Sequence, residues 1–492
     1  MSYQSMLLRP QLDPGQRCVA RFLHVNPKRA FDATRRFMLD QPGCFFAAGR
    51  PVPLREIRPC DHADGGQLRR ASSRTDCNQT PGSRAAATTS LGSVPASTAT
   101  NRLSDDDGQA NAAAVDPYAP QGVRAGAFLV KPAIEIRSGY DSNPARIRNG
   151  RGSAMIVVAP ELEVKSQLEK HELSAAIRGS YTDTPAVPGS NVSTVDARIS
   201  GRYDLNEVTA VRGEARYNLD TDTVQAAATP AAGINRLKVS TPGATVGIEE
   251  RVDNVVLSAE ASAEHDKFLG SRLVDGQAVS NRDIDYAQYG ARTRVGYVFT
   301  PQFTLFVDMA ADRRIHDLTT DVNGFRRDST GTTVLAGASL AFPDWLAGEI
   351  AVGQRMRSYA DPMLQKVAGY VVDASLSFTP TKRTTIQLTT TSDVTESTLA
   401  DVSGVLRRDG LVQVSHQLDP QLTAIVGTGY GWDNSIGGAR VDSRYFVNAG
   451  LVYKVSRVLQ LKSEVRQDWL RSNVPNASVS ATTATVGIRA QY

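Results

Sequence analysis

From about residue 126 to the C-terminus, apolar and polar residues alternate with a period of two, interrupted at intervals by turn-forming residues. In 254–268, Val255, Leu257, Ala259, Ala261 and Ala263 oppose Ser258, Glu260, Ser262 and Glu264. In 207–220, Thr209, Val211, Ala215 and Tyr217 oppose Arg212, Glu214, Arg216 and Asn218. In 457–470, Leu459, Leu461, Val465 and Trp469 oppose Gln460, Lys462, Glu464, Arg466 and Asp468. The chain ends on the same theme, with Ala484, Val486, Ile488, Ala490 and Tyr492 on one face and Thr485, Gly487, Arg489 and Gln491 on the other. Period two is the signature of a strand with two unlike environments. Charges at every second position cannot be packed in a dry core, so one face meets water.

The breaks come in two kinds. Short ones include Thr300-Pro301-Gln302, Pro343-Asp344, Thr379-Pro380-Thr381, Asp419-Pro420-Gln421, Val252-Asp253-Asn254 and Val455-Ser456-Arg457; long ones include Asp183 to Ser193, Thr221 to Asn235, Gly270 to Asn281, Asp317 to Phe325 and Leu399 to Val405. They alternate along the chain. A closed membrane barrel with tight turns at one end and loops at the other predicts that alternation. The predicted strands are roughly 126–141, 153–167, 171–183, 193–205, 207–220, 236–252, 254–268, 282–299, 302–315, 326–342, 345–359, 367–379, 382–397, 405–418, 421–433, 441–455, 457–470 and 478–492. The fold class is therefore all-β, a transmembrane antiparallel up-and-down barrel of about 18 strands, with 16 as the alternative.

Composition narrows this further. Mean hydropathy is -0.27, and no run of about 18 apolar residues exists, so a membrane-spanning helix is excluded. A closed barrel is then the one way this chain could cross a bilayer. Aromatic residues support the crossing: Trp345, Trp432, Trp469, Tyr140, Tyr181, Tyr203, Tyr217, Tyr297, Phe299 and Phe342 all fall near predicted strand ends, as interfacial girdles require.

The N-terminal part differs. Residues 1–77 form an atypical head, rich in arginine and without periodicity, that holds all four cysteines, Cys18, Cys44, Cys60 and Cys77, at spacings that match no zinc or redox pattern. Residues 1–120 carry 15 basic and 11 acidic residues and the remainder 40 of each, so the net +4 resides in the first 120 residues. The barrel segment thus has no charge excess with which to bind nucleic acid. The patch Cys44-Phe45-Phe46-Ala47-Ala48 is too short for a secretory h-region of about 7–15 residues. The expectation is a displaced start site, with residues 1–77 absent from the mature protein and a disordered extension as the alternative. Residues 78–122, rich in Ala, Ser, Thr, Gly and Asp, are expected to be a disordered linker, and 123–492 the barrel.

The first predicted strand ends in Gly139-Tyr140-Asp141-Ser142-Asn143-Pro144. That hexapeptide, ahead of so many alternating strands, resembles the β-barrel porin type 2 family of proteobacterial outer-membrane proteins, and the resemblance covers about 115–492. It implies an outer-membrane barrel with a porin-like role. The residues themselves read as a turn initiator leaving a strand.

The water-facing set gives the candidate pore-lining residues: Arg137, Arg178, Arg198, Arg202, Arg212, Arg216, Arg292, Arg294 and Arg466, with Glu135, Glu214, Glu260, Asp308 and Glu464. Opposite charges on neighbouring strands can pair, and opposed ladders would set a transverse field that filters polar solutes. Val486, Ile488, Ala490 and Tyr492 look like the C-terminal signal read by barrel-assembly machinery. Expected partners are outer-membrane lipid, that machinery, and small polar solutes or a polysaccharide, with a homo-oligomer possible and no nucleic acid. No cofactor, metal site or catalytic residue is expected. The functional expectation is a passive channel for small polar solutes; the alternative is an export channel for a secreted polysaccharide. A hydrolytic barrel ranks third, resting on Glu264-His265-Asp266 and His316-Asp317, which lack a companion nucleophile signature.

Overall fold

A computed structural model of the chain describes residues 8–11, 19–22, 117–222, 237–272, 278–280, 282–397 and 402–492. The chain divides into two units, Met1–Gly82 and Ser83–Tyr492. In the first, Leu8–Gln11 pairs antiparallel with Val19–Phe22. Strands of four residues are too short to announce themselves as an alternating pattern. The expectations for the cysteines and for most of the head and linker fall outside the described residues.

The second unit is a closed antiparallel barrel in which every strand pairs with its sequence neighbours. Among the described residues its strands are β1 Phe128–Asp141, β2 Ser153–Ser166, β3 Glu172–Asp183, β4 Val192–Asp204, β5 Thr209–Asp222, β6 Leu237–Val252, β7 Val255–Phe268, β8 Tyr286–Thr300 and β9 Phe303–His316. They continue as β10 Ser329–Phe342, β11 Leu346–Tyr359, β12 Val367–Thr381, β13 Thr384–Thr395, β14 Gly404–Gln417, β15 Leu422–Ile436, β16 Val441–Lys454, β17 Leu459–Ser472 and β18 Val479–Gln491. Pairing of β18 with β1, from Thr483↔Asp141 to Gln491↔Ala133, closes the ring. The eighteen strands are those the alternation predicts. One addition precedes them: Val123–Ala125 folds back on Phe128–Val130 before β1 begins.

Strands of 12 to 16 residues exceed the about 9–11 needed to span a bilayer. Connections at one end are two to five residues long, while at the other they reach seventeen between Phe268 and Tyr286. In outer-membrane barrels the turn end is periplasmic and the loop end extracellular. Asp253 and Asp344 occupy tight turns at φ 51° and 69°, a left-handed conformation that Asp tolerates better than most residues.

Apolar side chains emerge on the convex face all around the ring, among them Ile136, Ile156, Ile177, Ile199, Val246, Val334, Val426 and Val486. A continuous exposed apolar band is foreign to a soluble surface and matches the lipid-facing band of a membrane barrel. Aromatic clusters border it at both ends. Tyr297, Phe299 and Phe303 form one cluster at the turn end and Phe342, Trp345 and Phe378 another, while Tyr445 stacks on Trp469 at the loop end with centroids 5.1 Å apart. Pro160 lies mid-strand in β2 where no N–H can serve the ladder, and the β2–β3 register skips from Val158↔Tyr181 to Glu161↔Arg178.

The hexapeptide at the end of β1 fastens the seam where the chain's first and last strands meet. Gly139 has no room for a side chain: a Cβ there would collide with the carbonyl oxygen of Ala484. Ser142 N donates to Thr482 O at 2.9 Å, and Thr482 N donates to Ser142 Oγ at 2.8 Å. Asn143 is buried and its amide bridges the seam, Nδ2 donating to Ile147 O at 2.7 Å and to Ser480 O at 3.1 Å. Asp141 accepts from Asn143 N at 2.8 Å and pairs with Arg146 at 2.8 Å, fixing the turn. Asn143→Ala is expected to cost about 1–3 kcal/mol, because it strands buried acceptors across the seam. Urea unfolding of the folded barrel checks this; a change within about 0.5 kcal/mol would remove the fastening role.

Candidate functional site on the inner wall

The concave face is polar, and its ion pairs prove which way it points. Side chains on strands two apart diverge on the convex side and converge on the concave side, so ion pairs between two side chains that skip a strand are interior. Lys462 of β17 reaches Glu135 of β1 at 2.8 Å, Arg489 of β18 reaches Glu161 of β2 at 2.8 Å, Arg216 of β5 reaches Glu264 of β7 at 2.5 Å, and Arg444 of β16 reaches Asp409 of β14 at 2.7 Å.

Every arginine predicted to line the water-facing side lies on this face, and each has a carboxylate partner. Arg137 meets Glu135 at 2.9 Å and Glu464 at 3.7 Å. Arg178 meets Glu161 at 2.6 Å; Arg198 and Arg216 each lie 3.8 Å from Glu214. Arg202 pairs with Asp204 at 2.7 Å, and Arg212 with Glu249 at 3.0 Å. Arg292 pairs closely with Asp308 and lies 3.9 Å from Glu260. Arg294 shares Asp308 at 3.0 Å and takes Glu349 at 3.0 Å. Arg466 pairs with Asp468 at 2.8 Å and stacks over Phe446, its guanidinium carbon 3.6 Å from the ring centroid. The charges form a mosaic of local pairs rather than a basic wall facing an acidic one.

A recess of about 110 Å³ opens in the wall of β1–β3 and β15–β18. Arg137, Arg178, Lys462 and Arg489 line it with Glu135, Glu161, Glu464 and Asn448. Sequence reading placed Lys462 and Arg489 on the water-facing side, but their meeting with Glu135 and Glu161 across an intervening strand depends on curvature.

Exposure is uneven around the ring. On β3 and β4 the side chains of Arg178 and Arg198 remain 42% and 38% exposed although they point inward. On the opposite side, near the loop end, the interior is filled. The β12–β13 ladder begins only at Ala374↔Thr390. Above it, the two strands are joined through side chains, with Ser392 N donating to the Asp373 carboxylate at 2.9 Å. The upper part of β13 reaches other strands instead. Arg355 of β11 donates to Ser392 O at 2.6 Å and pairs with Asp393 at 2.8 Å. Arg314 of β9 donates to Val394 O at 3.0 Å and pairs with Glu396 at 2.8 Å, in a dry setting. Arg327 donates to Val402 O at 3.0 Å and pairs with Asp321 at 2.6 Å. Val367, Val394 and Leu406 pack together there, with Tyr359 and Ile436 against them. Arg314, Glu396, Asp321 and Arg327 were not among the predicted residues. The parity of Arg314 with Asp308 on β9 was the available signal.

Asp321 lies in the loop between β9 and β10. Burial alone would raise its carboxyl, but the hydrogen bond from Arg327 and those from the N–H groups of Phe325 and Asn323 outweigh it and hold the group below the usual carboxylate range. A depressed folded value stabilises the loop fully above the unfolded value, about 3.9 for Asp, and the stabilisation is lost as pH falls through the folded value. Amide exchange of Asn323 and Phe325 should therefore stay protected at pH 5 and loosen only below the ordinary carboxylate range. Loosening already at pH 5 would contradict the assignment.

The two histidine motifs are split between the faces of the wall. Along β7, Glu264 turns inward to Arg216 while His265 turns outward, its Nε2 3.1 Å from Asp317 Oδ1. His316 is buried against Tyr286, with ring centroids 5.4 Å apart.

A family model described as "Putative beta-barrel porin 2" matches residues 116–492. No curated protein matches the sequence. Solved structures similar to the chain include the copper transporter OprC, at 10% identity and TM-score 0.43 over 75% of this chain and 82% of that one. They also include OccK1 (OpdK) of Pseudomonas aeruginosa, at 11% identity and TM-score 0.38 over 74% and 99%. A third is a mutant ferric enterobactin receptor of Pseudomonas aeruginosa, at 9% identity and TM-score 0.37 over 75% and 81%.

Proposed function

Because the chain belongs to the beta-barrel porin 2 family, whose model covers residues 116–492, we propose that this outer-membrane barrel is a passive diffusion channel for small polar solutes. One observation carries the reading: Arg178 and Arg198 point into the ring, are held by carboxylates, and still present 42% and 38% of their side chains to open space. A ring of eighteen strands encloses more volume than its own side chains fill, unlike one of about eight. Here the β8–β15 side is filled near the loop end and the β3–β4 side is left open, so the solute path follows the latter.

Arg137, Arg178, Arg198, Arg202, Arg212, Arg292, Arg294 and Arg466, with Glu214, Glu260 and Glu464, line that interior, whereas Glu135, Arg216 and Asp308 lie on the same face but are buried by the partners that pair with them. Their pairing cancels most of the field along the path, which suits small polar solutes of either sign better than export of a long anionic chain. The role is non-enzymatic. Val486, Ile488, Ala490 and Tyr492 form the outward stripe by which assembly machinery recognises the last strand.

Swelling of proteoliposomes in sugars of graded size tests the function. Swelling rates that fall with solute size, and need no energy source, are expected. Swelling no faster than in protein-free vesicles, from barrel shown to be folded by heat-modifiable gel migration, would overturn the channel reading.

A further inference from the structure

The convex face of β14–β18 is apolar or neutral almost throughout. Among Asp, Glu, Lys and Arg, the alternation places only Arg408 and Arg471 on it. Both lie toward the loop end, and the register puts them in one row: Arg408↔Trp432, Trp432↔Ser443, Ser443↔Arg471. The next row toward the membrane is aromatic, with Tyr430↔Tyr445 and Tyr445↔Trp469.

These two guanidiniums are treated differently from those inside. Arg408 donates to Tyr370 O at 3.2 and 3.1 Å and lies 5.3 Å from the Trp432 ring centroid. Arg471 donates to the Tyr445 hydroxyl at 3.1 Å. Neither has a carboxylate partner among the described residues, whereas every predicted inner-wall arginine has one. An outward arginine costs about 2–4 kcal/mol at the bilayer midplane and about 0–1 near the interface, so these positions suit the headgroup level. Their positive charge is left to be matched from outside the protein.

We propose that this row is a docking surface for a phosphorylated glycolipid of the outer leaflet, with one phosphate on Arg408 and a second on Arg471. Three inter-strand steps separate the two arginines, about 14 Å along the surface, which calls for a headgroup with two anionic groups rather than one. Between them Ser443 Oγ and Tyr430 OH, 3.4 Å apart, offer hydroxyls to sugar oxygens. The stacked Tyr445 and Trp469 rings below meet the junction of headgroup and acyl chains. The inference rests on the outer-membrane location and is independent of whether the barrel conducts.

The test uses the full chain, folded in detergent, exchanged through vesicles of phosphatidylethanolamine doped with bisphosphorylated lipid A, dephosphorylated lipid A or phosphatidylglycerol. Native mass spectrometry after re-extraction counts the lipid retained. Retention of bisphosphorylated over dephosphorylated lipid A by about tenfold or more is expected, from two charge-assisted hydrogen bonds. Arg408→Gln with Arg471→Gln should abolish that preference, while Arg313→Gln, an outward arginine on β9, leaves it intact. Equal retention of the two lipid A forms by the unaltered chain overturns the proposal without any variant. So does a preference that survives in the folded double variant. Equal retention of phosphatidylglycerol and bisphosphorylated lipid A rejects the glycolipid in favour of anionic lipid in general.

Discussion

Asp308→Ala is expected to destabilise the barrel by about 3–5 kcal/mol, the cost of removing one member of a buried charge cluster. The Asp308 side chain is 3% exposed and holds two cations at once: Arg292 Nε at 2.9 and 2.8 Å, and Arg294 Nε at 3.0 Å. Without it, two guanidiniums two residues apart on β8 face each other over an apolar floor, where Arg294 lies 4.0 Å from the Phe306 ring centroid. Glu349 and the more distant Glu260 compensate in part. Asp308→Asn keeps acceptor and donor capacity and should cost less. Lys165→Ala is the control: its pair with Glu172, at 3.4 Å, is 59% and 47% exposed, and such pairs contribute at most about 1 kcal/mol. Reversible urea unfolding in lipid vesicles measures all three. A loss for Asp308→Ala as small as that for Lys165→Ala would mean that water and neighbouring carboxylates already satisfy both arginines.

The second large effect lies on the opposite face. Val486 sits mid-strand on β18, is 67% exposed, and is opposed by Ser138 on one side and Ser463 on the other. Val486→Arg should cost about 2–4 kcal/mol, because a lipid-facing cation near the bilayer midplane has no anionic partner and little water. Val486→Leu should stay within about 0.5 kcal/mol. The contrast is informative because exposure alone, in an aqueous protein, would make position 486 tolerant of arginine. Equal stability of the two variants would show that this face does not meet hydrocarbon.

The strands and their faces were legible because a membrane barrel obeys a single rule along its whole length: two unlike solvents, alternating sides. Leu257 against Glu260 or Leu461 against Lys462 needs no tertiary information to read. Strand ends were less sharp where loops begin, as at β8 and β10, which start at Tyr286 and Ser329 rather than near 282 and 326. The pairing of charges was legible only in part. Arg292 and Asp308 meet across adjacent strands, which a hairpin register suggests, whereas Lys462 with Glu135 and Arg489 with Glu161 skip a strand and exist only because the sheet curves. The filled side of the interior was not legible. Ser392, Asp393 and Val394 continue an ordinary alternating strand in sequence, and only the reach of Arg355 and Arg314 reveals that they pack against β11 and β9. The hexapeptide was read correctly as a turn, but its grip on Thr482 and Ser480 depends on which strand closes the ring.

Single-channel recording from the refolded chain in a planar bilayer, with a reversal potential across a salt gradient, tests the passive-channel account most directly. It should give discrete open steps with a reversal potential close to zero, because the inner-wall arginines are neutralised by neighbouring carboxylates. An absence of steps from folded protein would contradict an open interior, and a reversal potential near the ideal anion-selective limit would contradict the neutral mosaic and point to an anion-conducting or exporting pore.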